Sequence, residues 1–488
     1  MIHNVSAKQM TALLLALLLL TSCGSTTVET NNADETTDTV AAQTEIEETE
    51  KRPELPEELT YDGLTFNLLT SYYNDYCHIT REEANGEVLN DAIYNMEINT
   101  EDRLDIEIVE DKQQYHAAIT MANAMVAAGD DTYAAMNQLD RFAIDMMVQD
   151  SLRPLEEAQY LDLTASWWHP AVTEEMSLGG KTYYAASASN LLMYVDTTAI
   201  MVNTNLATDV GVSTEELYTA VRKGTWTQDM LMEKAALAKM DLNGDGEYTR
   251  EDQWGMTCFD ENILGITLIT AGGVKAVDKD EKDQLTLLWN DAAYIDMMEK
   301  AYEIFHNDAV WTEKNQVYRH TTAEFASGNI LFLHGFFFAV DQLKEMEDDY
   351  TVLPIPKYSA DQEQYICANY DVMTYIMPKF VSDTELFGAV LEWLSYEGER
   401  LVKDAYIETT MKYKAARDET MAEMVQLCLD TSMIDLGCMY CYDWCSYDAL
   451  WNNVFTKQTL TFASYAAGHE KAIQNRLDEI QDALAGEQ

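Results

Sequence analysis

A chain of 488 residues is long enough for more than one hydrophobic core, so two lobes are the natural expectation. Its 31 Lys and Arg stand against 85 Asp and Glu, a net charge of −54. Such a surface repels phosphate backbones, which excludes nucleic acid as a partner. It also disfavours anionic small molecules, leaves sugars unaffected and favours Ca²⁺.

Met1 to Lys8 is a short, weakly basic lead, and Thr11 to Leu20 is an almost unbroken run of Leu and Ala. That run is too short for the roughly 30 Å hydrocarbon core of a bilayer, which takes about 20 residues of helix. It suits a secretory signal over residues 1–22. Leu20-Thr21-Ser22-Cys23 reads as a lipoprotein processing box, with small residues before a Cys23 that becomes the lipidated N-terminus. Residues 23–60 are rich in Thr, Glu, Asn and Asp and poor in large apolar side chains. They cannot offset their own ordering entropy. A coil of that length reaches on the order of 35 Å, a tether holding a folded body off the extracellular face of the membrane.

The body opens with a strand over Tyr61–Thr70, a helix over Leu89–Asn99, a strand over Asp105–Val109 and a helix over Gln113–Ala128. This alternation predicts α/β architecture with a parallel sheet. Thr227 caps a helix whose apolar residues Met230, Met232, Ala235, Leu237 and Met240 predict one buried face. The helix runs into Asp241-Leu242-Asn243-Gly244-Asp245-Gly246, the first half of an EF-hand-type calcium loop. Asp241, Asn243 and Asp245 supply side-chain oxygens, Glu247 its carbonyl, and Asp252 stands twelfth where a Glu is usual. A structural Ca²⁺ is the expectation. Apolar runs follow at Ile330–Leu333, Thr351–Pro354 and Val372–Met377, with amphipathic helices over Thr384–Tyr396 and Ala466–Leu484.

The order of these segments resembles the extracellular solute-binding proteins of ABC importers, the sugar-type group. Ser166-Trp167-Trp168 followed by Gly180–Tyr184 is similar to the family's approach to its first hinge crossing, and Met201–Leu206 to its following strand, with Thr204 in place of a Lys. The Thr225-Trp226 helix, the acidic loop and Gln253-Trp254-Gly255 form the most specific run; Phe325–Asn329 and Leu353–Lys357 resemble later landmarks. The resemblance implies a two-lobed, type II periplasmic-binding-protein-like fold, each lobe a sheet flanked by helices. The lobes would comprise residues 61–187 plus 370–425 and 188–369 plus 426–484, crossing near Ser187–Leu192, Asn369–Thr374 and Gln426. It implies a monomer that passes its solute, an oligosaccharide in this group, to an importer's permease subunits.

A sugar pocket needs flat apolar faces and paired polar groups. Asp140-Arg141-Phe142 resembles a run that grips sugar hydroxyls in maltodextrin-type members, which points to Asp140 and Arg141. Tyr72 and Tyr73 follow the first strand, and Asn190 lies in the first crossing. Phe336 opens three consecutive aromatics, which cannot all face one side of a strand. Trp444 offers a platform from the other lobe. Apart from Cys23, seven cysteines remain, an odd number. Cys428, Cys438, Cys441 and Cys445 are spaced as a metal site would be, but no second CxxC supports one; free thiols or one local disulfide are expected. No GxSxG, HExxH, GxGxxG or P-loop occurs. The expectation is a binder and not an enzyme, with a peptide or other solute binder, a glycan-active hydrolase and an adhesion lipoprotein as the alternatives.

Overall fold

Alternating and fully apolar runs form the strands of this α/β body, seen in a computed structural model that describes residues 51–72, 74–259, 261–312, 321–412 and 419–485. Lys51 aside, these fall in one compact unit, Arg52–Gln488. Cys23, the signal segment and most of the tether lie outside the described residues, as does Tyr73. The tether's last residues are held: Arg103 donates to the carbonyls of Pro56 (2.7 Å) and Leu59 (3.0 Å).

In chain order the strands are β1 (Leu64–Tyr72), β2 (Ile106–Gln114), β3 (Ala135–Leu139), β4 (Leu152–Arg153), β5 (Thr198–Asn203) and β6 (Trp254–Cys258). Then come β7 (Val277–Lys279), β8 (Leu285–Leu287), β9 (Ile330–Phe336), β10 (Tyr350–Leu353), β11 (Cys367–Ala368), β12 (Met373–Pro378) and β13 (Ser432–Met433). The helices that matter for function are α1 (Val88–Leu104), α2 (Tyr115–Ala128), α3 (Asp140–Val148), α4 (Gln228–Ala238) and α5 (Glu261–Ala271). They are followed by α6 (Thr384–Glu397), α7 (Glu419–Asp430), α8 (Leu436–Tyr440) and α9 (Phe462–Ala485).

Two main sheets define two lobes, ordered β2-β1-β3-β12-β4 and β10-β5-β9-β6. Both are mixed and not purely parallel. β1 is parallel to β2 and β3, while β12 runs antiparallel to β3 and β4. The cause is connectivity: β12 returns from the second lobe and enters the first sheet from the opposite end. β2 runs on to Gln114, past the predicted Val109, because its edge position lets it pair with β1 as far as Tyr72.

Two crossings run side by side. The first leaves Ala185, bridged to Tyr375, and reaches β5; the second passes from Asn369, bridged to Thr197, into β12. The Ser189 hydroxyl bonds the Tyr375 hydroxyl at 2.7 Å, and Asn369 Nδ2 donates to the Met193 carbonyl at 2.6 Å. Farther on, α6 packs on α1 of the first lobe, whereas α7 packs on β10 of the second. The C-terminal helices touch both lobes: α8 packs on α3 and β7, and α9 on α3 and β8.

Thr227 caps α4 as expected, its hydroxyl accepting from the Met230 N–H at 3.3 Å. The buried stripe is Leu231, Ala235 and Ala238, while Leu237 and Met240 are exposed. Of the predicted face Ala235 is buried, where the close-lying Gly255 requires a small residue, and Met230 and Met232 are half-buried. A Cβ on Gly255 would stand 2.2 Å from the Ala235 carbonyl oxygen.

Candidate functional site

The site is built where β3 ends and α3 begins. Asp140 is the first residue of α3, its backbone N–H bonded to the Val372 carbonyl at 3.0 Å, which places it beside the second crossing. Its carboxylate accepts the Arg141 N–H at 2.8 Å. Burial pushes the carboxyl up to about 6, against the opposing pull of Arg141. The Arg141 guanidinium pairs with Asp371 and lies over three rings, Phe142, Tyr370 and Tyr442, at 5.2, 5.6 and 5.3 Å from their centroids. A guanidinium stacked and paired in this way presents a fixed fork of donors.

Asp140 and Arg141 form one wall of a cavity between the lobes; Thr267 and Thr270 of α5, Phe336 at the end of β9, and Asp435 with Tyr442 form the other. Asn369 and Tyr370, on the second crossing, line it too. Asp435 caps α8, accepting from the N–H of Gly437 at 2.7 Å and of Ala276 at 3.3 Å. Burial raises its carboxyl to about 6 as well, those N–H groups opposing. Below Thr267, His334 accepts or donates at 2.6 Å through Nε2, and burial pushes that imidazole down to about 3, so it is neutral.

The cavity's free volume is about 30 Å³, room for a water or two, since each needs at least 10–15 Å³ or so on that measure. A sugar ring enters only when the lobes part. The lobes are also joined outside the cavity lining: Lys279 Nζ reaches the carbonyls of Glu174 (2.7 Å) and Ser177 (2.6 Å), and Arg476 pairs with Asp145.

Asp140, Arg141 and Phe336 are thus brought together. Phe336 and Phe338 stack at 5.4 Å on one side, and Phe337 is buried on the other. Trp444 lines the adjoining hollow with Arg141, Phe142 and Arg476. Tyr72 packs edge-on against His78 at 5.3 Å and is absent from both linings. Asn190 is fully buried in the first crossing, accepting from Asn137 at 3.1 Å and donating to the Met373 carbonyl at 3.4 Å. Sequence reasoning missed Asp435, Asn369, Tyr370 and Tyr442. Asn369 and Tyr370 nonetheless lie in the expected second crossing and Tyr442 just before Trp444, while Asp435 left a trace as a capping residue two positions before Gly437.

The acidic loop lies apart from this cavity. Gly244 and Gly246 adopt φ of 74° and 82°, the left-handed conformations that glycine alone takes without cost. Asp241 accepts from the N–H groups of Gly244 (2.6 Å) and Gly246 (2.8 Å), Asn243 from that of Asp245 (2.8 Å), and Asp245 from that of Glu247 (2.8 Å). Asp252 ties the loop's ends by accepting from Leu242 (3.0 Å) and Thr249 (2.7 Å), bonds that hold its carboxyl below the usual range. Among the described residues no three His, Cys, Asp or Glu side chains converge where a metal ion would sit. Asp241, Asn243 and Asp245 share one turn, and each oxygen keeps a further lone pair.

No family model and no curated protein matches the sequence. Solved structures do match the fold. A cyclo/maltodextrin-binding protein complexed with maltotetraose superposes with a TM-score of 0.56 at 12% identity, covering 87% of this chain and 97% of that one. The fold is that of the two-lobed solute-binding proteins. A sugar transporter from Rhizobium etli in an open conformation gives 0.54 at 13% identity over 87% and 99% of the two chains. UgpB from Mycobacterium tuberculosis in complex with glycerophosphocholine gives 0.52 at 13% over 86% and 98%. These neighbours of the solute-binding fold are binding proteins. No helix among the described residues is long and apolar enough to cross a membrane.

Proposed function

We propose that the protein is a membrane-tethered extracellular receptor that captures a carbohydrate between its lobes and delivers it to an ABC transporter, without catalysing a reaction. The observation that carries this reading is the interlobe cavity, where Arg141 with Asp140 on one side faces Phe336, Tyr442 and threonine hydroxyls on the other. Flat rings take the CH face of a sugar, and the charged pair grips its hydroxyls. Lipid on Cys23 would anchor the acidic tether. In the test, purified protein is mixed with malto-, cello- and chito-oligosaccharides while melting temperature and products are followed. At least one saccharide is expected to raise the melting temperature without being consumed, because a ligand of the folded state alone stabilises it. Arg141→Ala is expected to weaken that binding by about 100-fold, the usual order for losing a charged hydrogen-bonding group. Turnover would favour a hydrolase, and silence across all saccharides a peptide binder or an adhesion protein.

A structural Ca²⁺ remains part of this proposal. It would be held by Asp241, Asn243 and Asp245, with the Glu247 carbonyl and Asp252, and would relieve the repulsion of three carboxylates in one loop. Added Ca²⁺ is expected to raise the melting temperature of the wild type and not that of Asp241→Ala. An equal rise in both would defeat it.

A further inference from the structure

The interlobe cavity is rich in acceptors. Asp140 and Asp435 line it from opposite lobes, both buried. Asp435 accepts from backbone N–H groups, those of Gly437 and Ala276 among them, which are dipoles and not charges, and the base facing it, Lys275, is itself paired with Glu175. Arg141, the one base among the described residues of the lining, is paired with Asp371. Asn369 is 5% exposed, and its Nδ2 donates to the Met193 carbonyl (2.6 Å) and the Thr197 hydroxyl (3.2 Å). Turning the amide over would press oxygen against that carbonyl, so the orientation is set. Asn369 Oδ1 is then a buried acceptor with no hydrogen-bond partner. A buried acceptor left unmet is costly and calls for a donor. Phe336, Tyr370 and Tyr442 add ring faces suited to a sugar or a cation.

We propose that the ligand of this cavity is a carbohydrate bearing a free amino group, its ammonium set between Asp140, Asp435 and the oxygen of Asn369. This rests on the carbohydrate reading above and narrows it. An ammonium is all donor and carries the missing charge. The net charge of −54 concentrates cations around the molecule and speeds their arrival.

The site is then pH-dependent. Asp140 is faced by Arg141 and the thiol of Cys438; Asp435 by Lys275, Cys438, Cys445 and the phenol of Tyr294. Burial holds those thiols and that phenol well above their ordinary values, so they stay neutral. The two carboxyls, each raised to about 6, are what ionises between acid and neutral solution. Below that point both are protonated and the attraction for an ammonium is lost; above it the attraction holds until the amine gives up its own proton.

The test is calorimetric titration with three trisaccharides: the glucosamine trimer, its N-acetylated counterpart and maltotriose. At about pH 7 the free amine is expected to bind at least tenfold tighter than the other two, and at about pH 5 the preference is expected to vanish. Asp435→Asn keeps the helix cap and is expected to remove most of that preference, read as the ratio of amine to neutral-sugar affinity; Asp140→Asn, read by the same ratio, serves if the first variant does not fold. Neutral sugars binding as well as the amine, or an unchanged preference in both variants, would overturn this inference and leave the carbohydrate reading standing. No binding by any saccharide would remove both, and spermidine binding where saccharides do not would overturn the carbohydrate part.

Discussion

Alanine at Gly398 is expected to cost about 3 kcal/mol of stability, near the upper end of overpacking penalties, and to lower the melting temperature by on the order of 5 °C. Gly398 follows the last residue of α6 and lies directly against the first crossing. A Cβ there would stand 2.5 Å from the Ser189 nitrogen and 2.9 Å from the Ala188 carbonyl carbon. Both are backbone atoms, so no side-chain rotation relieves the clash. The crossing itself would have to shift, and with it the Ser189–Tyr375 bond that ties it to β12. Thermal melting of the free protein checks this, with Gly468→Ala as the control. Gly468 lies inside α9 with nothing within 4 Å of its would-be Cβ. Alanine there is expected to be neutral or to stabilise by up to about 1 kcal/mol, the helix propensity difference. If Gly398→Ala melts with the wild type, the close packing of α6 on the crossing is wrong.

The same crossing explains how much of the molecule was legible in its sequence. Local signals survived: the first strand, the cap at Thr227 and the split of Phe336 and Phe338 from Phe337 each depend on a few neighbouring residues. Where a distant segment decides, the reading slipped. The end of α4's predicted face is exposed at Leu237 and Met240, and the mixed first sheet was set by β12 returning from the other lobe. The site divides in the same way. Asp140 and Arg141 are adjacent and could be matched to a motif. Asp435, Asn369 and Tyr442 reach the cavity from segments with no periodic pattern of their own, and only the closing of two lobes brings them beside Asp140. Asn190 shows the converse: a polar residue in the right crossing, yet engaged with Asn137 and Met373.

Replacing Lys279 with methionine is expected to weaken ligand binding by about 30-fold while barely moving the melting temperature of the free protein. Lys279 ends β7 on the second lobe, and its ammonium donates to the Glu174 carbonyl (2.7 Å), the Ser177 carbonyl (2.6 Å) and the Ser177 hydroxyl (3.0 Å) of the first. Asp283, in the turn after β7, accepts from the Gly180 N–H at 3.0 Å, and Lys275 pairs with Glu175. These contacts join the two lobes that enclose the cavity and exist only while the lobes are together. In the open molecule the same groups face water, so the contacts favour closure without contributing much to the folding of either lobe. Hydrogen bonds to a charged group contribute about 1.5–3 kcal/mol. A loss of about 2 kcal/mol from the closed state lowers affinity by roughly 30-fold, if closure is what holds the ligand. The loss should fall on the dissociation rate, because entry precedes closure. Stopped-flow release and calorimetry measure the two quantities. Unchanged release would mean that the hairpin β7–β8 rests against the first lobe without holding it.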